Sequence, residues 1–138
     1  MDHPGLSVSI RSLAGLPLVA VSGTIDAWQI ETVDSIVQRF PLDDRPVLVL
    51  DLSDATFTDV ESLSGLIRLL RTASGEMRIA AVTTAAISAV LRCANLEPGV
   101  TLCSTIDSAE EMLRSQPEYL TSRWMAAKAE EEELPLAA

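Results

Sequence analysis

Apolar and polar residues alternate from Leu6 through Ser7, Val8 and Ser9 to Ile10, the period of a half-buried strand. Gly15-Leu16-Pro17 interrupts the run, and Leu18–Ser22 reads as a second strand, so the pair predicts a hairpin turning around Leu13–Pro17. Gly23-Thr24-Ile25-Asp26 ends it. Gly23 suits an unusual backbone angle, and Asp26 suits the cap of a helix beginning near Ala27. Ile30, Val33, Ile36, Val37 and Phe40 then recur at steps of three and four, one apolar stripe that Pro41 stops. Val47–Leu52 is almost continuously apolar, as expected of a central strand covered on both faces. A second helix places Leu63, Leu66, Ile67 and Leu70 together and ends at Ser74-Gly75. Met77–Val82 is a strand. Thr84 suits the cap of a third helix that turns Ile87, Val90, Leu91 and Ala94 inward, with a break over Asn95–Gly99. Val100–Cys103 is a short last strand, and Asp107-Ser108-Ala109-Glu110 has the capping-box pattern that opens a helix through Arg114. The predicted order is β-β-α-β-α-β-α-β-α. Strands that alternate with helices after an opening hairpin imply an α/β domain with a mostly parallel sheet and right-handed crossovers.

Composition sharpens this picture. The 138 residues suit one domain with one core. Pro117 marks a boundary between a domain at 1–116 and a tail at 117–138. In the tail, Glu118–Lys128 has helical propensity and carries Tyr119, Leu120, Trp124 and Met125, while Glu130–Glu133 is a like-charge run. Hydrophobic residues make up 48% with few aromatics, so the core must be aliphatic. A formal net charge of −10 repels phosphate backbones and argues against nucleic-acid binding. The longest uncharged apolar-leaning stretch, Ile79–Leu91, falls well short of the roughly 20 residues a membrane span needs. The opening Met1-Asp2-His3 lacks a basic region followed by an apolar run, so a cytoplasmic protein without a membrane part is expected. His3 is the only histidine and no glycine-rich phosphate-binding motif is present, so no catalytic triad, metal or cofactor is expected, and the acidic pair Asp51 and Asp59 is the sole hint of a metal site.

The stretch from Val47 to Gly65 carries the most specific signal: an apolar strand, a short polar loop, then a helix opening behind Asp59. Its Asp51, Leu52, Ser53, Phe57 and Asp59 resemble the signature of the STAS family, the anti-sigma factor antagonists of bacterial partner-switching systems. Gly23–Asp26 matches that family's Gly-x-apolar-Asp turn, and the resemblance covers about residues 6–115. It implies a STAS-like α/β domain acting as a non-enzymatic interaction module. Such a module captures an anti-sigma factor with a serine-kinase fold and thereby regulates transcription indirectly. In the family, a hydroxyl after the Asp is the phosphoacceptor that releases the partner. Here the two hydroxyl positions are Val60 and Glu61.

That departure gives Glu61 two readings. As the third helical residue behind a Thr58 cap, it completes a capping box. As a fixed carboxylate at a helix N-terminus, it offers about one negative charge where a phosphate would bring nearly two. Ser62 and Ser64 are further phosphosite candidates in the same loop and helix start. The resemblance also implies a partner surface of Gly23, Thr24, Asp26, Trp28, Thr56, Thr58 and Leu63; Trp28 is either a binding anchor or a cover for the sheet edge. Cys93 and Cys103 are read as buried small hydrophobes or as a redox pair brought within reach by the strand that follows the helix. A homodimer is left open. Two other functions compete: a never-phosphorylated scaffold or sensor subunit of a larger signalling complex, and a phosphotransfer enzyme using Asp51 and Asp59.

Overall fold

The computed structural model describes residues 6–13, 15–39, 47–96 and 99–115. Five strands and four helices follow one another as β1 (Ser7–Leu13), β2 (Leu16–Ile25), α1 (Ala27–Val37), β3 (Val47–Phe57), α2 (Val60–Ala73), β4 (Arg78–Val82), α3 (Ala85–Arg92), β5 (Val100–Cys103) and α4 (Ile106–Arg114). This is the predicted order. Phe40, Pro41, the boundary at Pro117 and the tail lie outside the described residues.

The sheet runs β1-β2-β3-β4-β5, with β1 antiparallel to β2 and every later pair parallel. Each crossover steps one strand further in the same direction. Crossovers of one hand that do so place their helices on one face. Accordingly α1, α2 and α3 pack on one side of the sheet, burying Ile30, Val33, Leu66, Leu70, Ile87 and Leu91 against Val19, Leu48, Leu50 and Ile79. α4 follows the last strand and has no further strand to reach. It covers the other face, where Ala109 and Leu113 meet Leu18, Val49, Val82 and Cys103. A helix layer on each side explains why Val47–Leu50 is buried at every position.

The hairpin is tighter and longer than its sequence suggests. Leu13 pairs directly with Leu16, and Gly15 takes a left-handed φ of 94° while its amide bonds to Ser12 Oγ at 3.2 Å. Pro17 therefore lies inside β2. It is tolerated because β2 pairs with β3 only from Leu18 onward, so the missing amide hydrogen costs no ladder bond on that side.

β3 also outruns its prediction, continuing past Leu52 to Phe57. Its register with β2 slips between Ala20↔Asp51 and Ser22↔Asp54, so Leu52 and Ser53 stand opposite Val21 alone. Such a bulge reverses the in–out alternation. Leu48, Leu50 and Leu52 face the α1–α3 layer before it, and Ala55 and Phe57 after it. Asp51 Oδ1 accepts bonds from the Ser53 amide at 3.0 Å and the Ser53 hydroxyl at 2.7 Å, bracing the bulge. The Asp-Leu-Ser run thus has a local structural job, and Asp51 lies within the strand instead of at its end.

Candidate functional site

Two loops come together at the carboxyl end of the sheet, the β2–α1 turn and the β3–α2 turn. Thr58 joins them: its amide and its hydroxyl donate to the Ile25 carbonyl at 3.1 and 3.3 Å. This bond corrects one expectation. Thr58 does not cap α2, because its side chain is turned back toward β2. The cap is Asp59, whose Oδ1 accepts the Ser62 amide at 2.8 Å. The reciprocal half of the box is made by Ser62, whose Oγ lies 3.4 Å from the Asp59 amide and donates to the Asp59 carbonyl at 2.8 Å.

The shift of the cap by one residue reassigns every position after it. Val60 and Glu61 open the helix and are exposed, with Val60 at 77%. Glu61 makes no capping bond; it lies in the first turn, where the field of a helix N-terminus favours a negative charge. Ser62 is fully buried, with its hydroxyl committed to the cap, whereas Ser64 is exposed. Leu63 is half-buried. The buried stripe of α2 is Ser62, Leu66, Leu69, Leu70 and Ala73, rotated slightly from the one read in the sequence.

The neighbouring turn is built in the same way. Gly23 has a left-handed φ of 95°, and Asp26 caps α1 as expected, accepting the amides of Trp28 at 3.0 Å and Gln29 at 2.9 Å. The Asp26 amide in turn donates to Gln29 Oε1 at 3.0 Å, and Gln29 is buried. The Asp-x-x-Gln spacing is the sequence signal for this box. Thr24 is exposed, and Trp28 stands out into solvent at 77% exposure, so it does not cover the sheet edge. Gly65 explains how the two helix starts sit so close. A Cβ there would meet Ile30 Cγ2 at 2.8 Å, so α1 and α2 touch through a position without a side chain. A glycine inside an otherwise helical run is the signal that could have revealed this contact.

Other candidates are not brought together. Asp51 is engaged with Ser53 and Asp59 with Ser62, and the rest of β3 separates them by about 15–20 Å at the usual strand rise. No cluster of three or more metal-ligating side chains occurs among the described residues. Cys93 and Cys103 are free thiols. Cys93 is exposed at the end of α3, while Cys103 faces α4 across the sheet, so the strand that follows α3 turns its cysteine to the opposite layer. Burial pushes the Cys103 thiol above its ordinary range. The α4 capping box is also displaced: Thr105 caps, accepting the Ser108 amide at 3.0 Å, and Glu110 instead pairs with Arg114 at 3.0 Å.

A hairpin, three same-face crossovers, a fourth helix on the far face and two capped helix starts at one end define a STAS-like domain, the fold of anti-sigma factor antagonists. An anti-sigma factor antagonist from Mycobacterium paratuberculosis superposes with a TM-score of 0.66 at 22% identity, over 83% of this chain and 100% of that one. The antagonist SpoIIAA in its unphosphorylated form gives 0.60 at 10% identity, over 80% and 100%. The Bacillus cell fate determinant SpoIIAA in its phosphorylated form gives 0.56 at 11%, over 78% and 100%. At these identities the likeness establishes the fold. No protein-family model and no curated protein matches the sequence.

Proposed function

We propose that this chain is a non-enzymatic interaction module of the anti-sigma antagonist type, which docks on an anti-sigma factor with a serine-kinase fold and so regulates transcription without touching DNA. The docking surface is the end of the sheet where Gly23–Trp28 and Thr56–Leu66 meet. The single observation that carries this reading is the start of α2. Glu61 is exposed in its first turn, holds no partner in the capping network, and occupies a position where the resemblance implies a phosphoacceptor. A permanent charge there is a partial counterpart of the phosphorylated state. The buried, cap-bonded hydroxyl of Ser62 favours Ser64, the exposed hydroxyl nearby, as the site of any switch.

The absence of an exposed hydroxyl at Val60, Glu61 and Ser62 supports a second reading, a scaffold or sensor subunit that is never phosphorylated. The two separate in one experiment. The full-length tagged chain is captured from lysate of its source organism and its companions are identified by mass spectrometry. Recovery of a kinase-fold anti-sigma factor, with binding weakened by Trp28→Ala, supports the antagonist. A larger signalling assembly lacking such a factor supports the scaffold. The cytoplasm is the proposed location. Among the described residues, no helix is long and apolar enough to cross a membrane.

A further inference from the structure

β3 outruns β4. Its last β4 partner is Asp51, opposite Val82, yet it continues to Phe57 paired only with β2. Beyond Val82 the chain turns away through Thr83 and Thr84 into α3, which lies on the face of the sheet. Between the β3 arm, the first turns of α2 and α3 lies an open groove of ≈ 350 Å³, with Ala55, Phe57, Leu63, Ile87 and Val90 among its lining. Apolar residues rarely stand exposed in a cluster without a partner. Here Val90 is 40% exposed in the groove wall, and Val60 at 77% exposure lies one turn before Leu63 on the same helix.

Three features identify the occupant. Among the described residues one wall is a strand edge without a neighbouring strand, and such an edge satisfies its backbone groups by taking on another extended chain. The floor is apolar, so alternate side chains of that chain must be apolar to fill it. Acidic residues flank the lining along the chain, Asp54 before Ala55 and Asp59 and Glu61 before Leu63, and among the described residues no Arg or Lys occurs in the loops preceding α1–α4 or in their first turns. The geometry points to a peptide-binding groove that adds an extended segment, with alternate apolar residues and Lys or Arg at its flank, as a new strand beside β3. The groove adjoins the docking surface proposed above and shares Thr56, Phe57 and Leu63 with it. The inference stands without that reading, because it rests on the unpaired edge and the charge around it.

The test is selection of short random peptides displayed on phage against the full-length chain. Selected peptides are expected to alternate apolar residues, to carry Lys or Arg at one end, and to bind more weakly as salt is raised. Val90→Asp, on an exposed helix surface, is expected to weaken them about tenfold or more by placing a charge in the apolar wall. Strand addition itself is read from the peptide. N-methylation at alternate residues in one register abolishes binding, and in the other register leaves it. Selection of no peptide overturns the proposal. So do peptides that bind Val90→Asp as well as the parent, and peptides indifferent to N-methylation in both registers, as expected if the groove takes a small apolar ligand or a helix instead.

Discussion

Residue by residue, the start of α2 divides its labour in a way that sequence spacing misassigned. Thr58-Asp59-Val60-Glu61 fits a capping box as written, but the Ile25 carbonyl competes for Thr58 and wins, because a bond between two strand ends also closes the loop. Asp59 then caps and Ser62 completes the box. Replacing Asp59 by Ala is expected to lower stability by about 1 kcal/mol in chemical denaturation, the usual loss of a cap. Ser62→Glu is expected to cost about 3 kcal/mol or more, since it forces a carboxylate into a fully buried position. It should therefore behave as an unfolding substitution and not as a phosphorylation mimic. Glu61→Ala should change stability by only about 0.5 kcal/mol, the scale of an exposed charge near a helix end. The two thiols differ just as clearly. Iodoacetamide on the native protein should alkylate Cys93 first and leave Cys103 until unfolding, as read by intact mass. Because the Cys103 thiol is raised in the fold, its contribution to stability is complete below the unfolded thiol range, about 8.5, and is lost as pH rises through the folded value.

Periodicity located every described element, and the misses at element scale share a cause: pairing partners distant in sequence. β3 extends to Phe57 because Ser22–Ile25 lie alongside it, and the bulge that permits this breaks the alternation a reader relies on. Pro17 is no breaker because its strand begins on the β1 side alone. The inward face of α2 turns toward Leu69 and Ala73 because Gly65 lets α1 approach so closely. The site was legible in part. Asp26 caps α1 and Gly23 takes a left-handed angle, as the sequence predicts, both being fixed by local turn chemistry. The burial of Ser62 was not legible, because it depends on which of two adjacent residues the cap selects. A side chain at the α1–α2 contact should be felt directly. Gly65→Val is expected to destabilise by about 2 kcal/mol, and Ile30→Ala in the same chain should recover part of that loss, a coupling measurable by a double-mutant cycle.

For the whole molecule, charge is sorted along the strand direction. Asp26, Asp54, Asp59, Glu61 and Asp107 stand at the carboxyl end of the parallel sheet, while Arg71, Arg92 and Arg114 occupy the last turns of their helices. The dipoles of α2 and α4 are thereby complemented at both ends, that of α1 at its start and that of α3 at its end, and the carboxyl end of the sheet presents a negative field to solvent. Association with a partner at that end should slow as ionic strength rises, by about tenfold between low and high salt in stopped-flow measurements, with dissociation changing far less. We propose more narrowly that the docking surface carries a built-in negative charge where a switchable one is implied. It is tested most directly by calorimetric titration of the captured kinase-fold anti-sigma factor with the parent chain, Glu61→Ser and Glu61→Ala. Both variants are predicted to bind more tightly, by about tenfold. Unchanged or weaker binding by both would contradict the claim and leave Glu61 as an ordinary carboxylate at a helix start.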